Sequence, residues 1–292
     1  MKSTMLLAAA LAIAAAVAAC GSLAFTAANV PARFGDFERR ADIPYGTGPR
    51  QRLDVYLPGA ARGRTPAHVP GRPIVVFWYG GGFDHGRKTH YRFVGAALAR
   101  AGYVAVLPDY RLYPEVMFPA FVEDGADALA WVVGNAAQIG GDPQRIYVAG
   151  HSAGAHIAAM LAYDRARLER VALPPDTVRG LIGLSGPYAL TPNDPTLHAV
   201  FTAPYTPADW RPAERAHRGA PPALLLHGEA DDRVAVSHAT TLAAALETVG
   251  SKVTLRIYPG RGHSDTAASF AAPYRPRLPV IEEIRHFIDS NP

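Results

Sequence analysis

Ile146-Tyr147-Val148-Ala149-Gly150-His151-Ser152-Ala153-Gly154 leads into a helical-looking run from His156 to Tyr163. An apolar strand, a sharp turn flanked by small residues and a helix form the context in which a G-x-S-x-G match carries meaning. The pentapeptide alone is weak evidence, because glycine and alanine are abundant in this chain. In that context the turn strains the serine backbone, and small residues on both sides let strand and helix approach closely. The Ser152 hydroxyl then stands above the sheet, within reach of a substrate carbonyl. A serine hydroxyl is a poor nucleophile until a base activates it. The reading therefore requires an acid, and then a histidine, further along the chain.

On both sides of this turn, strand-like and helix-like stretches alternate. Leu53–Leu57, Ile74–Tyr79, Tyr103–Leu107, Leu181–Leu184, Ala223–Leu226 and Lys252–Tyr258 read as strands. Helices are expected over about 88–101, ending at Gly102, and over Phe121–Gln138, Leu242–Val249 and Val280–Ser290. Residues 58–72 read as a loop, and Gly140-Gly141-Asp142-Pro143 as a turn. The alternation predicts an α/β fold with a mostly parallel sheet covered on both faces. In such sheets sites lie at the carboxyl ends of the strands. Residues 187–222, with Tyr188, Phe201, Tyr205 and Trp210 among many prolines, are longer than a connection needs. They read as a small lid insertion or as a plain surface excursion.

His227-Gly228-Glu229-Ala230-Asp231-Asp232-Arg233-Val234 follows a strand directly and offers the acid. Asp231 is preferred to Asp232 because Val234, three residues on, suits an apolar residue that tucks the loop back. Gly260-Arg261-Gly262-His263 follows the last strand, where glycines let a loop return an imidazole over the sheet. Position alone singles out His263 among the 11 histidines. His227 reads as a packed strand-end residue, His151 as pointing away from the nucleophile, and His85, His90 and His156 as structural or surface residues. In this chemistry the imidazole takes the Ser152 proton and later returns it to the leaving group, while the carboxylate fixes the tautomer. Charge then develops on the carbonyl oxygen and requires preset donors, each contributing about 3 kcal/mol. Tyr79-Gly80-Gly81-Gly82-Phe83 ends a buried strand and can supply them from Gly81 and Gly82, with the Ala153 amide as a third.

The chain has 292 residues, 49% hydrophobic and 18% charged, with a net charge of +4. That fits one large domain or at most two small ones. Its scattered basic residues form no nucleic-acid stripe. No metal-ligand set, phosphate loop or dinucleotide fingerprint appears, so no cofactor is expected. Lys2 precedes an apolar run, Met5–Ala19, too short to span a bilayer comfortably and flanked like a secretion signal. Val17-Ala18-Ala19-Cys20-Gly21 resembles the lipobox of bacterial lipoproteins, and Cys20 is the single cysteine. The resemblance implies cleavage before Cys20, lipid attachment there, and tethering in a bacterial cell envelope, with Gly21 leaning towards the outer membrane. An ordinary signal peptide or a short anchor is the alternative. The expected organisation is a signal peptide at 1–19, a lipidated tether and lead-in at 20–50, and a catalytic domain at 51–292.

Taken together, Tyr79–Gly82, Asp109–Glu115, Phe118-Pro119-Ala120 with Glu123-Asp124, Gly140–Pro143, Gly150–Ala155, His227-Gly228 with Asp231, and Gly262-His263 resemble α/β-hydrolases of the carboxylesterase type. The resemblance is particularly to the bacterial hormone-sensitive-lipase-like and feruloyl-esterase-like groups. The resemblance implies Ser152, Asp231 and His263 as triad, and Gly81, Gly82 and Ala153 as oxyanion donors. It marks Asp109, Arg111, Glu115 and Asp124 as polar residues that pin loops. Tyr79 departs from it, standing where the family has a histidine, which puts that loop's supporting hydrogen bond in question. Cap helices before the domain look short, which favours small or extended esters. The implied activity is hydrolysis of short-chain or aryl carboxylic esters. An amide, formamide, lactone or thioester substrate on the same residues, or a lipid-anchored binding protein whose chemistry has lapsed, are the competing readings.

Overall fold

The computed structural model describes residues 25–30, 32, 34–59, 71–271 and 278–292. The expected signal segment and Cys20 lie outside them. No helix among the described residues is long and apolar enough to cross a membrane.

Eight strands form one sheet in the order β1-β2-β4-β3-β5-β6-β7-β8. They are β1 (Phe37–Pro44), β2 (Arg52–Pro58), β3 (Arg72–Trp78), β4 (Val104–Pro108), β5 (Gly141–His151), β6 (Val178–Leu184), β7 (Ala223–Gly228) and β8 (Val253–Tyr258). β1 pairs antiparallel with β2, and β2 antiparallel with β4, while the other pairings are parallel. The continuous apolar runs of β3, β4, β6 and β7 are buried, as strands covered on both faces must be. β8 is a half-exposed edge.

β1 falls inside the stretch read as tether and lead-in. Its sequence, FERRADIP, is charged and only partly buried, because it is the other edge of the sheet. It is fastened from within. Asp54 on β2 has no exposed surface, and it accepts hydrogen bonds from Arg39 at 2.7 Å and from the Asp42 amide at 3.0 Å. The buried Lys88 ammonium reaches Asp42 at 2.5 Å and Asp54 and Asp109 at 3.5 Å each.

The helices also depart slightly from expectation. The stretch 88–101 is a short 3-10 turn, Lys88–Tyr91, followed by the helix Arg92–Arg100. The elbow helix begins earlier than His156, at Ala153, and the helix expected at Leu242 begins at Ser237. Every residue of Ala153–Tyr163 is buried. It packs on β3, β5 and β6, and beneath Ala120–Asn135 and the 212–215 turn. A helix between two layers needs no polar face, which is why its sequence is apolar all round.

The strands deliver their carboxyl ends to one edge. Trp78 of β3 pairs with Gly150 of β5, His151 with Leu184 of β6, and Gly228 of β7 with Tyr258 of β8. The loops carrying the glycine run, Ser152, Asp231 and His263 leave the sheet from these ends.

Candidate active site

Ser152 sits between β5 and its helix at φ 55° and ψ −124°. Left-handed backbone at a non-glycine residue is strained, and here the surroundings enforce it. A Cβ on Gly150 would lie 2.3 Å from Gly154 backbone, and one on Gly154 would lie 2.1 Å from the Trp78 carbonyl oxygen. Only glycine allows so close a crossing of strand and helix. The Ser152 amide is anchored to the Leu184 carbonyl at 2.9 Å.

The residues expected to converge do so. The Ser152 hydroxyl lies 2.9 Å from His263 Nε2, and His263 Nδ1 lies 2.8 Å from Asp231 Oδ2. Asp231 has a fully buried side chain, whereas Asp232 is exposed. Its Oδ1 accepts the Arg233 and Val234 amides at 3.0 and 2.8 Å, so Val234 does tuck the loop back. Burial opposes the Asp231 charge, but hydrogen bonds from His227, His263 and the Val234 amide outweigh it and hold the carboxyl below the ordinary carboxylate range. An imidazole between a hydroxyl and a fixed carboxylate can carry a proton from one reacting oxygen to another.

The glycine loop runs beside this group. A Cβ on Gly80 would lie 2.9 Å from the Ser152 Cβ, and one on Gly81, at φ 151°, would lie 2.0 Å from the His85 carbonyl oxygen. Ala153 opens its helix, where the first amides have no intrahelical acceptor. The loop is held without the family's histidine. Tyr79 stacks on Tyr110 with centroids 4.5 Å apart, and its hydroxyl accepts a hydrogen bond from Arg50 at 2.9 Å. Arg50 also donates to the carbonyls of Gly86 at 2.7 Å and Tyr110 at 2.8 Å, and the Tyr110 hydroxyl donates to the Tyr79 carbonyl at 2.9 Å.

His151, read as pointing away from Ser152, has a part in holding His263. Its Nε2 donates to the His263 carbonyl at 3.0 Å, and its Nδ1 accepts from the Tyr91 hydroxyl at 3.0 Å. Burial, then the nearby His263, push the His151 pKa down to about 3, so it stays neutral. This ties the 88–91 turn to the backbone of His263. His227 is packed, as expected, but it also lies 3.2 Å from Asp231 Oδ2 while bonded to the Val234 carbonyl at 2.8 Å. The sequence offered no local signal for Arg50, Tyr91 or the contact of His227 with Asp231. Among the loop-pinning residues, Arg111 grips Asp124 with bonds of 2.7–3.0 Å, and Asp109 accepts the Lys88 amide at 2.6 Å. Glu115 is exposed and reaches Arg111 only through charge.

The segment 187–222 is fastened to the body. Trp210 gives its carbonyl to His156 Nε2 at 2.6 Å, the Phe118 amide donates to the Val200 carbonyl at 3.1 Å, and the Ala189 amide donates to His238 Nδ1 at 3.1 Å. Phe201 and Trp210 are buried in an aromatic cluster with Phe83, Phe118 and Phe121. Among the described residues no group of histidine, cysteine and carboxylate side chains is placed to hold a metal ion.

The family model described as BD-FAE matches residues 53–246. The chain belongs to the BD-FAE family. This BD-FAE protein is 31% identical over 248 residues to the isoprenylcysteine alpha-carbonyl methylesterase ICME of Arabidopsis thaliana, covering 77% of this chain and 56% of that one. It is 31% identical over 285 residues to esterase LipQ of Mycobacterium tuberculosis, covering 89% of this chain and 65% of the relative. The chain thus spans just over half the length of the plant relatives it matches. Among solved structures, an inhibited esterase B from Lactobacillus rhamnosis superposes with a TM-score of 0.77 at 19% identity, covering 97% and 96% of the two chains. A truncated carbohydrate esterase from gut microbiota superposes at 0.73 and 22% identity, covering 87% and 96%. The BD-FAE protein therefore has the α/β-hydrolase fold of esterases.

Proposed function

We propose that this BD-FAE protein is a serine carboxylesterase that cleaves short-chain or aryl carboxylic esters through an acyl-enzyme. The observation that carries this reading is the unbroken hydrogen-bonded line Ser152–His263–Asp231 at the edge of the sheet. Ser152 Oγ attacks the ester carbonyl as its proton passes to His263 Nε2. Asp231 keeps Nδ1 protonated and stabilises the imidazolium. The amides of Gly81, Gly82 and Ala153 receive the oxyanion. His263 then protonates the departing alkoxide, which leaves as the alcohol. A water molecule, deprotonated by the same imidazole, attacks the acyl-enzyme and regenerates Ser152. Relatives named as esterases, one of them a methylesterase, favour an ester with a small alcohol.

The test is hydrolysis of p-nitrophenyl acetate. Wild-type protein is expected to turn it over and to be labelled at Ser152 by a fluorophosphonate, and Ser152→Ala to lose both. No turnover of any activated ester, and no label on Ser152, would refute the reading. We propose further that Cys20, the single cysteine, carries lipid and tethers the enzyme to the bacterial envelope. Radiolabelled palmitate should enter the protein in growing cells and be lost in Cys20→Ser. Equal labelling of both would count against the tether.

A further inference from the structure

A cavity of about 380 Å³ lies between the N-terminal segment around Phe25, strand β2 and the 87–92 stretch. None of the residues proposed for catalysis lines it. Its wall carries three guanidinium groups, Arg39, Arg87 and Arg92, and no carboxylate lines it. Arg39 is neutralised by Asp54 behind the wall, to which it gives Nε and Nη2. The Arg87 side chain makes no hydrogen bond among the described residues, so the cavity keeps a surplus of positive charge.

Two donors on this wall are buried without an acceptor among the described residues, the Tyr56 hydroxyl and Arg92 Nε. Tyr56 has no exposed surface at all. A buried donor left without an acceptor is costly, and native structures rarely keep one without a reason. Two of them on one wall, beside Arg87, unpaired among the described residues, call for a ligand that is anionic and rich in acceptor oxygens. Guanidinium groups match phosphate oxygens in geometry as well as charge.

We infer that this cavity is an anion site for a phosphate group. The group belongs either to free phosphate or to the headgroup of an anionic phospholipid. The second source is within reach if Cys20 is lipidated, because the five residues from Cys20 to Phe25 span at most about 18 Å.

The experiment uses the full chain in non-ionic detergent, titrated calorimetrically with inorganic phosphate at constant ionic strength. Parallel titrations use mixed micelles containing phosphatidylglycerol or phosphatidylcholine. Saturable binding of inorganic phosphate or of phosphatidylglycerol is expected. Phosphatidylglycerol binding the tighter assigns the headgroup, and phosphate binding alone assigns the free ion. Tyr56→Phe removes one oxygen and leaves the ring in place. It should weaken binding about tenfold, the range for a hydrogen bond to a charged group. The melting temperature of its unliganded form should hold or rise, because a buried hydroxyl proton without an acceptor is gone. Arg92→Gln should weaken binding by at least as much, and both variants should keep wild-type turnover of p-nitrophenyl acetate. Absence of binding by both probes, or binding of unchanged affinity in both variants, would overturn the site.

Discussion

The two adjacent aspartates after β7 show how much one residue's position decides. Asp231 is buried and receives His263 and His227, while Asp232 faces solvent. Asp231→Asn should leave the geometry in place but favour the wrong imidazole tautomer, lowering kcat by about 10⁴. Asp232→Asn should stay within about twofold of wild type, as exposed substitutions do. Steady-state turnover of p-nitrophenyl acetate by the two variants checks the assignment, and a reversed order would transfer the role to Asp232. His227 supports Asp231 from the opposite side to His263. His227→Leu should lower kcat about tenfold through loss of a hydrogen bond to a charge, with KM unchanged, and His227→Gln should recover part of it. Ser152, Asp231 and His263 were legible because their order, spacing and strand-end positions are local properties of the sequence. His151, Tyr91 and Arg50 were not. Residues 151 and 263 meet only after β5 and β8 have taken their places in the sheet, and Arg50 reaches the Tyr79 loop from a segment that reads as an irregular lead-in.

At the scale of elements, the site depends on a strand and a helix crossing at van der Waals distance. Gly154→Ala places a methyl group 2.1 Å from the Trp78 carbonyl oxygen, a backbone atom at the carboxyl end of a central strand. Nothing flexible is available to give way, so the variant should be destabilised by about 1–3 kcal/mol or fail to accumulate as soluble protein. Circular-dichroism melting of any soluble fraction measures this, and a wild-type melting curve would contradict it. The 187–222 segment depends on packing in the same way. Trp210→Ala removes a buried indole from the aromatic cluster, which should cost about 3–5 kcal/mol in urea unfolding. Most strands were legible because buried parallel strands read as continuous apolar runs. β1 was missed because FERRADIP is an edge strand, and its charges mimic those of a linker. The 3-10 turn at Lys88–Tyr91 merged with the following helix for a similar reason, since its distinguishing contacts, Asp109 to the Lys88 amide and Tyr91 to His151, are tertiary.

Across the whole molecule, histidines shifted down by burial link stability to pH. Burial pushes the pKa of His151 down to about 3 and that of His156 to about 4, from an ordinary value of 6.5. Both are neutral in the folded protein at pH 5, whereas the unfolded chain protonates them below 6.5. The unfolded state therefore binds more protons, and stability falls as the pH drops from 6.5 towards 4. Each histidine adds up to about 1.4 kcal/mol per pH unit to that slope. Asp231 acts in a lower range. Its folded carboxyl lies below the ordinary 3.8, so its stabilisation is complete above that value and is lost only as the pH falls through its folded range. Acid weakening between pH 6 and 4.5 should therefore come chiefly from His151 and His156, with His90 and His238, also held below 6.5 by burial, acting in the same direction. His156→Gln retains a donor for the Trp210 carbonyl but cannot take a proton. Urea unfolding at pH 6.0, 5.2 and 4.5 should give this variant a shallower slope of stability against pH than wild type, whatever its starting stability. Parallel slopes would show that His156 does not contribute to the acid response.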